Sequence, residues 1–206
     1  MGKINYQLVL DSTLENISRE GVRPRLLLHA CCAPCSSYVL EYLSRYFDIT
    51  LYFYNPNISP EKEYLFRADE LSRLISEMPL DGEVNLVSEI YNSDEFYNAI
   101  KGFEDEREGG GRCKICYRLR LERSAAYAAE HGFDYFSTTL SISPYKNAAW
   151  LNEIGGELAE RYGVSYLFSD FKKKNGYKRS CELSEIYGLY RQSWCGCEFS
   201  KRDGTE

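Results

Sequence analysis

Seven of the eight cysteines in this 206-residue chain stand in three tight groups, and thiols at such spacing can bind a metal or carry electrons. The groups are Cys31-Cys32-Ala33-Pro34-Cys35, Cys113-Lys114-Ile115-Cys116 and Cys195-Gly196-Cys197, while Cys181 stands alone. In a chain of this size, clustered thiols indicate metal or redox chemistry far more often than structural disulfides. Cys181 lies beside Leu183 on a predicted core helix, so we expect it to be a buried structural thiol.

The first two groups could together hold an iron–sulfur cluster, whose usual ligands are four thiolates. One loop would supply Cys31 and Cys32, and another would supply Cys113 and Cys116. The second pair begins a predicted helix, where the N-terminal dipole stabilises thiolates. Zinc is the competing metal, because paired cysteines also form tetrahedral zinc sites. Adjacent cysteines are unusual in zinc knuckles, and this favours iron and sulfur while leaving zinc open.

The third group differs from the other two in its chemistry. A disulfide across one residue closes a small strained ring that is easily reduced, and Gly196 permits the unusual backbone it needs. Cys195 and Cys197 could therefore store two electrons, chelate a second metal, or be two buried thiols without a role. Cys35 could join them in a second iron site or serve only at the start of a helix.

Length and composition indicate one globular domain with reduced thiols. A chain of 206 residues can bury a full core without disulfides. No apolar stretch is long enough to span a membrane and no signal pattern opens the sequence, so we predict a cytoplasmic protein with no membrane contact. The net charge of −6 argues weakly against nucleic acid. However, the basic segment from Lys172 to Arg179 could contact phosphates, or could be a solvated helix face.

Strand and helix patterns alternate along the whole chain. Buried strands are predicted at 25–30, 49–54, 84–87, 133–139 and 164–168. Amphipathic helices are predicted between them, and Ser36 and Ser37 are expected to cap the helix after the first strand. This alternation predicts an α/β fold, a Rossmann-like, mainly parallel sheet flanked by helices.

We predict a single domain over residues 1–206, with an N-terminal helical extension at 1–22. Sites in such sheets form at the carboxyl ends of the strands, and Cys31 follows the first strand directly. We expect the segment 195–197 to return to this site.

Six stretches of the chain, in this order, resemble the QueH type of epoxyqueuosine reductase, and the similarity covers nearly all of residues 5–200. They are LLHACCAPCS at 27–36, FYNPNI at 53–58, RCKICYR at 112–118, TTLSISPYK at 138–146, DFKKKNGY at 170–177 and YRQSWCGC at 190–197. The resemblance implies an oxidoreductase of tRNA processing. Such an enzyme removes the epoxide oxygen of epoxyqueuosine at the tRNA wobble position, without cobalamin, in the last step of queuosine biosynthesis.

The resemblance also implies roles for individual cysteines. It implies a 4Fe–4S cluster on Cys31, Cys32, Cys113 and Cys116, and a redox-active pair, able to form a disulfide bond, at Cys195 and Cys197. It allows one additional mononuclear iron on Cys35, Cys195 and Cys197. Some family members carry Asp where this chain has Cys35, which changes the softness of that ligand. The implied fold is similar to the adenine nucleotide alpha hydrolase-like group related to PP-loop enzymes. The loop after the first strand lacks glycine, however, so ATP use is not expected.

The partners implied are tRNA carrying epoxyqueuosine and an external one-electron donor of the ferredoxin or flavodoxin type. We predict phosphate contacts from Lys172, Lys173, Lys174 and Arg191. Tyr117, Tyr145 and Trp194 are candidates to stack on the base, although a packing role is the favoured interpretation for each. His29, inside a strand, is expected to be a hydrogen-bonded core residue, with a proton-donor role as the alternative.

Two other classes of function remain open from the sequence. One is a zinc-stabilised RNA-binding module without catalysis. The other is a PP-loop-related tRNA thiolation enzyme, against which the missing glycine-rich loop counts.

Overall fold

The structure, a computed structural model that describes residues 4–200, contains one five-stranded sheet with helices on both faces. Its elements are α1 (Tyr6–Glu20), β1 (Arg25–His29), α2 (Ala33–Leu43), β2 (Asp48–Phe53), α3 (Glu61–Glu77), β3 (Val84–Ser88), α4 (Asp94–Ala99), α5 (Gly111–Glu130), β4 (Tyr135–Thr138), α6 (Ala148–Tyr162), β5 (Ser165–Tyr166) and α7 (Gly176–Ile186). Short 3₁₀ helices lie at Thr139–Ile142 and Glu198–Ser200. The strand order is β3-β2-β1-β4-β5 and every neighbouring pair is parallel. The predicted α/β class is therefore confirmed.

The central strand β1 is buried on both faces, which explains its continuous apolar run. Leu26 and Leu28 point into one core cluster, and Leu27 points into a second cluster across the sheet. Helix α1 covers the first cluster with Leu10, Leu14 and Ile17. It ends at Gly21, whose φ of 64° gives the left-handed C-cap that glycine favours. No helix among residues 4–200 is both long and apolar enough to cross a membrane.

Helix α2 starts three residues earlier than the serines predicted to cap it. Its N-cap is Cys32, in extended conformation, and Pro34 lies in the first turn, where its missing N–H costs nothing. Ser36 and Ser37 lie inside the helix and donate to the carbonyls of Cys32 and Pro34 at 2.9 and 3.0 Å. The prediction that they cap the helix is wrong. As a result, Cys32 and Cys35 both lie at the helix N-terminus.

A pair of adjacent glycines in α6 provides a matched test of the packing against β5. A Cβ added at Gly155 would lie 2.4 Å from the Tyr166 ring, which is itself fixed between Phe136 and Phe168. A Cβ added at Gly156 would meet Phe168 at 3.4 Å, an ordinary contact. We expect Gly155→Ala to lower the free energy of unfolding by about 1–3 kcal/mol through overpacking. Gly156→Ala should be neutral or add up to about 1 kcal/mol from helix propensity.

Urea unfolding of both variants measures this difference directly. Equal stability of the two variants would contradict the close approach of α6 to β5.

Candidate metal and redox site

The carboxyl ends of β1, β2 and β4 meet at one edge of the sheet and border a cavity of about 410 Å³. The β1–α2 loop contributes Cys31, Cys32 and Cys35 to its wall, and the C-terminal segment contributes Cys195. Charged side chains complete the wall, namely Arg67, Glu108, Arg120, Lys146 and Arg191. This is the position at which parallel α/β sheets bind their ligands.

Cys31, Cys32 and Cys35 form a triad in which all three sulfurs lie within 4.8 Å of one another. The Cys31 and Cys32 sulfurs are 3.7 Å apart, and Cys31 also lies 3.8 Å from the Thr139 hydroxyl. Hydrogen bonds from Cys32 and Cys35 hold the pKa of the Cys31 thiol well below its usual range. The bond to Cys31 raises the pKa of Cys32 to about 12, and that of Cys35 rises too. Cys31 is thus the member of the triad that loses its proton most readily, and the thiolate is the form of cysteine that binds metals.

A smaller cleft of about 20 Å³ adjoins the cavity and is lined by Cys113, Cys116, Cys195 and Cys197. Helix α5 positions the first two, because it begins directly after Gly110 and carries Cys113 in its first turn. The Gly109 N–H donates to the Cys113 sulfur at 3.2 Å. Cys116 packs with Cys197 and Phe96 in a small apolar cluster. Cys195, Glu108, Arg120 and Lys146 line both spaces, so all three cysteine groups lie at one end of the sheet.

The Cys-Gly-Cys pair is present as two free thiols, as are the other six cysteines. The Cys195 sulfur lies 3.1 Å from the Ser200 hydroxyl. A hydrogen bond from Cys197 and the charge of Lys146 hold the pKa of Cys195 well below its usual range, against the effect of burial. The pKa of Cys197 is raised by the same bond. The predicted disulfide between these residues is not formed in this structure and stays a prediction.

Arg120 is a buried cation between the cysteine groups. Only 4% of it is exposed, and within residues 4–200 it forms no ion pair with a carboxylate. It donates to the Cys116 carbonyl and to the Asn55 side-chain oxygen, each at 3.3 Å. Burial lowers its pKa, but the nearby sulfurs of Cys116, Cys31 and Cys195 produce a net rise. Its positive charge is therefore balanced by the thiols of the site. A buried charge needs such compensation.

Lys146 supplies a second cation, 3.3 Å from Glu108. Burial lowers the pKa of Lys146, but Cys195, Tyr117 and Glu108 raise it by more, so the ammonium keeps its protons. The ammonium therefore gives both spaces a proton-bearing group near Cys195.

His29 is a fully buried structural residue, as expected from its place in a strand. Its Nε2 lies 3.1 Å from the Tyr54 carbonyl, which can only accept, so Nε2 carries the proton. Its Nδ1 therefore accepts from the Thr138 hydroxyl at 3.0 Å. Burial and the Arg120 charge lower the pKa of His29 to about 4. The neutral ring ties β1 to β4 and to the end of β2.

The residues of the site fit a bound metal group. The sulfurs of Cys31, Cys32 and Cys35 lie within 4.8 Å of one another, and Cys113 and Cys116 add further thiols, the ligands that select iron–sulfur clusters or zinc, from the wall of the smaller cleft. Two side-chain atoms in its wall, Asn57 Oδ1 and Arg112 Nε, are buried without a hydrogen-bond partner in the described part of the chain. Such atoms are rare unless a ligand satisfies them. This donor set does not discriminate between iron–sulfur and zinc.

The residues predicted to contact tRNA divide into two sets. Arg191 lines the large cavity and lies over the Tyr177 ring at 5.6 Å. Lys172, Lys173 and Lys174 do not line it; Lys172 pairs with Asp170 at 2.5 Å, and Lys174 pairs with Asp11 at 2.7 Å. Among the aromatic candidates, Tyr145 (71% exposed) and Trp194 line the cavity, whereas Tyr117 (2% exposed) belongs to the core.

Sequence reasoning missed Arg67, Asn57 and Glu108 as members of the site. Arg67 and Glu63 are four residues apart on a helix. In the sequence, this spacing cannot be distinguished from that of an ordinary ion pair on the surface of a helix. Asn57 stands in one of the six quoted motifs, which is the signal that could have identified it.

A parallel α/β sheet with seven thiols around two adjoining spaces defines a protein with the capacity for metal binding and thiol redox chemistry. The chain belongs to the epoxyqueuosine reductase QueH family, whose family model matches residues 26–203.

Relatives named epoxyqueuosine reductase QueH occur in distant bacteria. The one from Streptococcus pyogenes serotype M1 is 44% identical over 202 residues, which cover 97% of this chain and 79% of the relative. The relative from Staphylococcus epidermidis is 45% identical over 96% of this chain and 85% of its own length. The relative from Thermotoga maritima is 38% identical over 88% of this chain and 92% of its own length.

Proposed function

We propose that this protein reduces epoxyqueuosine to queuosine in tRNA, in a reaction that depends on a thiol-bound iron–sulfur cluster. The observation that carries the proposal is the convergence of three cysteine groups on a cavity of about 410 Å³ and the small cleft beside it, the cavity having a volume suited to a single modified nucleoside. Membership of the QueH family supports the substrate and the oxidoreductase activity.

In this proposal, Cys31, Cys32, Cys113 and Cys116 would hold a 4Fe–4S cluster. Cys35, which lies within the first triad, would hold a mononuclear iron together with Cys195 and Cys197. When bound, these groups would supply electrons one at a time and a Lewis acid. The clustered thiols and the unpartnered atoms of the smaller cleft support this assignment.

Residues of the chain itself can supply the electrons and protons that the reaction consumes. Removing an epoxide oxygen as water, with a carbon–carbon double bond left behind, takes two electrons and two protons. By forming their disulfide, the Cys195 thiolate and the Cys197 thiol would supply two electrons and one proton, and the protonated Lys146 would supply the second proton. An external one-electron donor of the ferredoxin or flavodoxin type would restore the dithiol in two steps. Lys146 Nζ, protonated and close to Cys195, would hydrogen-bond the departing oxygen.

The wobble base lies in a single-stranded loop, which a protein can bind with the base turned outward. Tyr145 is exposed at the cavity and is our candidate for stacking on that base. Arg191 would contact the adjoining backbone, with Lys172, Lys173 and Lys174 as more distant phosphate contacts. A cytoplasmic location fits this substrate and the free thiols.

Replacing Arg191 with Ala should weaken tRNA binding by about tenfold and reduce the salt dependence of the binding constant by about one phosphate contact. Lys173→Ala is the matched control, because Lys173 is exposed and does not line the cavity. It should have a smaller effect. Electrophoretic mobility shifts over a range of salt concentrations measure both. Equal losses of affinity in the two variants would indicate that the tRNA does not bind at the cavity mouth.

Anaerobically purified protein tests the function as a whole. We expect about four irons and about four acid-labile sulfides per chain for the cluster, with broad visible absorption. With a low-potential reductant, tRNA bearing epoxyqueuosine should yield queuosine on nucleoside mass analysis. Colourless protein with stoichiometric zinc and no conversion would instead support the zinc-stabilised RNA-binding module.

A further inference from the structure

The segment between α7 and the Cys-Gly-Cys pair contains no helix or strand, and α3 holds it through backbone contacts. Arg73 donates to the Tyr187 carbonyl at 3.1 Å, and Glu70 accepts from the Tyr190 N–H at 2.6 Å. One turn nearer the start of the same helix, Arg67 Nη1 donates to the Cys195 carbonyl at 3.3 Å. The cysteine pair thus depends on a neighbouring helix for its position.

Arg67 is an unusual residue for this task because its side chain is only 2% exposed. Glu63 holds it at 2.7 Å, and the Trp194 ring lies 5.6 Å from the guanidinium carbon. Burying a guanidinium is costly, and a pairing with Glu63 alone could be made at the surface at much lower cost. In its buried position, Arg67 can direct Nη1 toward the backbone carbonyl of Cys195, whose thiol belongs to the site.

Gly196 is held by a backbone hydrogen bond and by close packing against neighbouring side chains. Its carbonyl accepts from the Ser59 N–H at 2.9 Å, just ahead of α3. Its φ of 98° lies in the range that favours glycine. A Cβ at this position would lie 2.8 Å from Ile58 and 3.1 Å from Arg67 Nη1. The close approach of Arg67 therefore requires the glycine between the two cysteines.

We infer that Arg67 is a positioning residue for the redox pair: it fixes the backbone of Cys195-Gly196-Cys197 so that both thiols stay turned into the site. It touches no reacting atom. The inference rests on the proposed function only for the redox role of the pair, since the placement of the thiols can be measured without catalysis.

The test is the rate of iodoacetamide labelling of each cysteine in metal-free protein, read by peptide mass spectrometry. In Arg67→Met, Cys195 and Cys197 should be labelled about tenfold faster, because their segment fluctuates more freely. Arg67→Lys, which keeps a cation and a donor, should recover part of the protection. Lys62→Met is the control, since Lys62 is an exposed cation in the first turn of the same helix. It should leave both rates within about twofold of the wild-type chain.

Cys181, half-buried on α7, serves as an internal reference for general loosening. Unchanged labelling of Cys195 and Cys197, or an equal rise at Cys181, would overturn the inference. Gly196→Ala supplies a second route, because its Cβ would press against Ile58 and the Arg67 guanidinium, and it should also accelerate labelling of the two cysteines. In metal-loaded enzyme, Arg67→Met should lower kcat with little change in KM for tRNA. Inactive wild-type protein would count against the proposed function and leave the labelling result valid.

Discussion

Cys113→Ala is expected to abolish both the brown colour of anaerobically purified protein and its epoxyqueuosine reduction. Cys113 occupies the first turn of α5, where the Gly109 N–H donates to its sulfur. Alanine removes one of four proposed ligands of the cluster. Changes outside the ligand set alone commonly cost ten- to a hundredfold in metal affinity or activity, so loss of a ligand should cost more than about a hundredfold.

The measurements are iron and acid-labile sulfide per chain, the visible spectrum, and queuosine formed per unit time. Cys181→Ala is the matched control, because Cys181 is the one cysteine that lines neither space. It should keep colour, iron and turnover. Cys113→Ala protein that retains its sulfide and its turnover would remove Cys113 from the cluster assignment.

The architecture followed from the sequence because its strongest signals are local. A run such as Leu26-Leu27-Leu28 indicates a strand buried on both faces, and the helices between such runs imply parallel pairing. The position of Cys31 at a strand end then placed one cysteine group at the ligand-binding edge. The ends of elements were less predictable. Only Ser165–Tyr166 pair in β5, and α2 begins at Ala33 because Pro34 already fits a first turn.

The electrostatics of the site could not be predicted, because they arise from contacts distant in the chain. Arg120 and Lys114 belong to the same basic stretch of sequence, yet Arg120 is buried among thiols and Lys114 is exposed. The helical period places them on different faces, but only the fold shows that Asn55 receives the Arg120 guanidinium. The same holds for Arg67, whose contact with Cys195 joins residues 128 positions apart.

These cations explain how so many thiols can share one buried region. A buried thiolate costs several kcal/mol unless an opposite charge or hydrogen bonds compensate it. Cys31 has Arg120 and two neighbouring thiols, and Cys195 has Lys146 and Cys197. Each of these two sulfurs therefore has a neighbouring thiol as hydrogen-bond donor and a cation nearby. The two groups differ in that only the pair at Cys195 and Cys197 can close a disulfide across one residue.

That difference predicts opposite results for cluster content and turnover when the C-terminal pair is changed. Cys197→Ala should reduce turnover by more than about a hundredfold, because the remaining Cys195 thiol cannot deliver two electrons as a disulfide. The four proposed cluster ligands are untouched, so acid-labile sulfide should stay near the wild-type amount. Any mononuclear iron held by Cys35 and the pair should be lost, lowering iron by about one per chain.

Cys197→Ser separates the two roles of this residue further. Serine preserves the volume and can still hydrogen-bond Cys195, but it cannot form a disulfide. Turnover should remain as low as in the alanine variant if two-electron delivery is what matters. The metal content of both variants and single-turnover assays with pre-reduced protein measure the outcome. Loss of acid-labile sulfide in either variant would show instead that Cys197, which shares an apolar cluster with Cys116, ligates the iron–sulfur cluster.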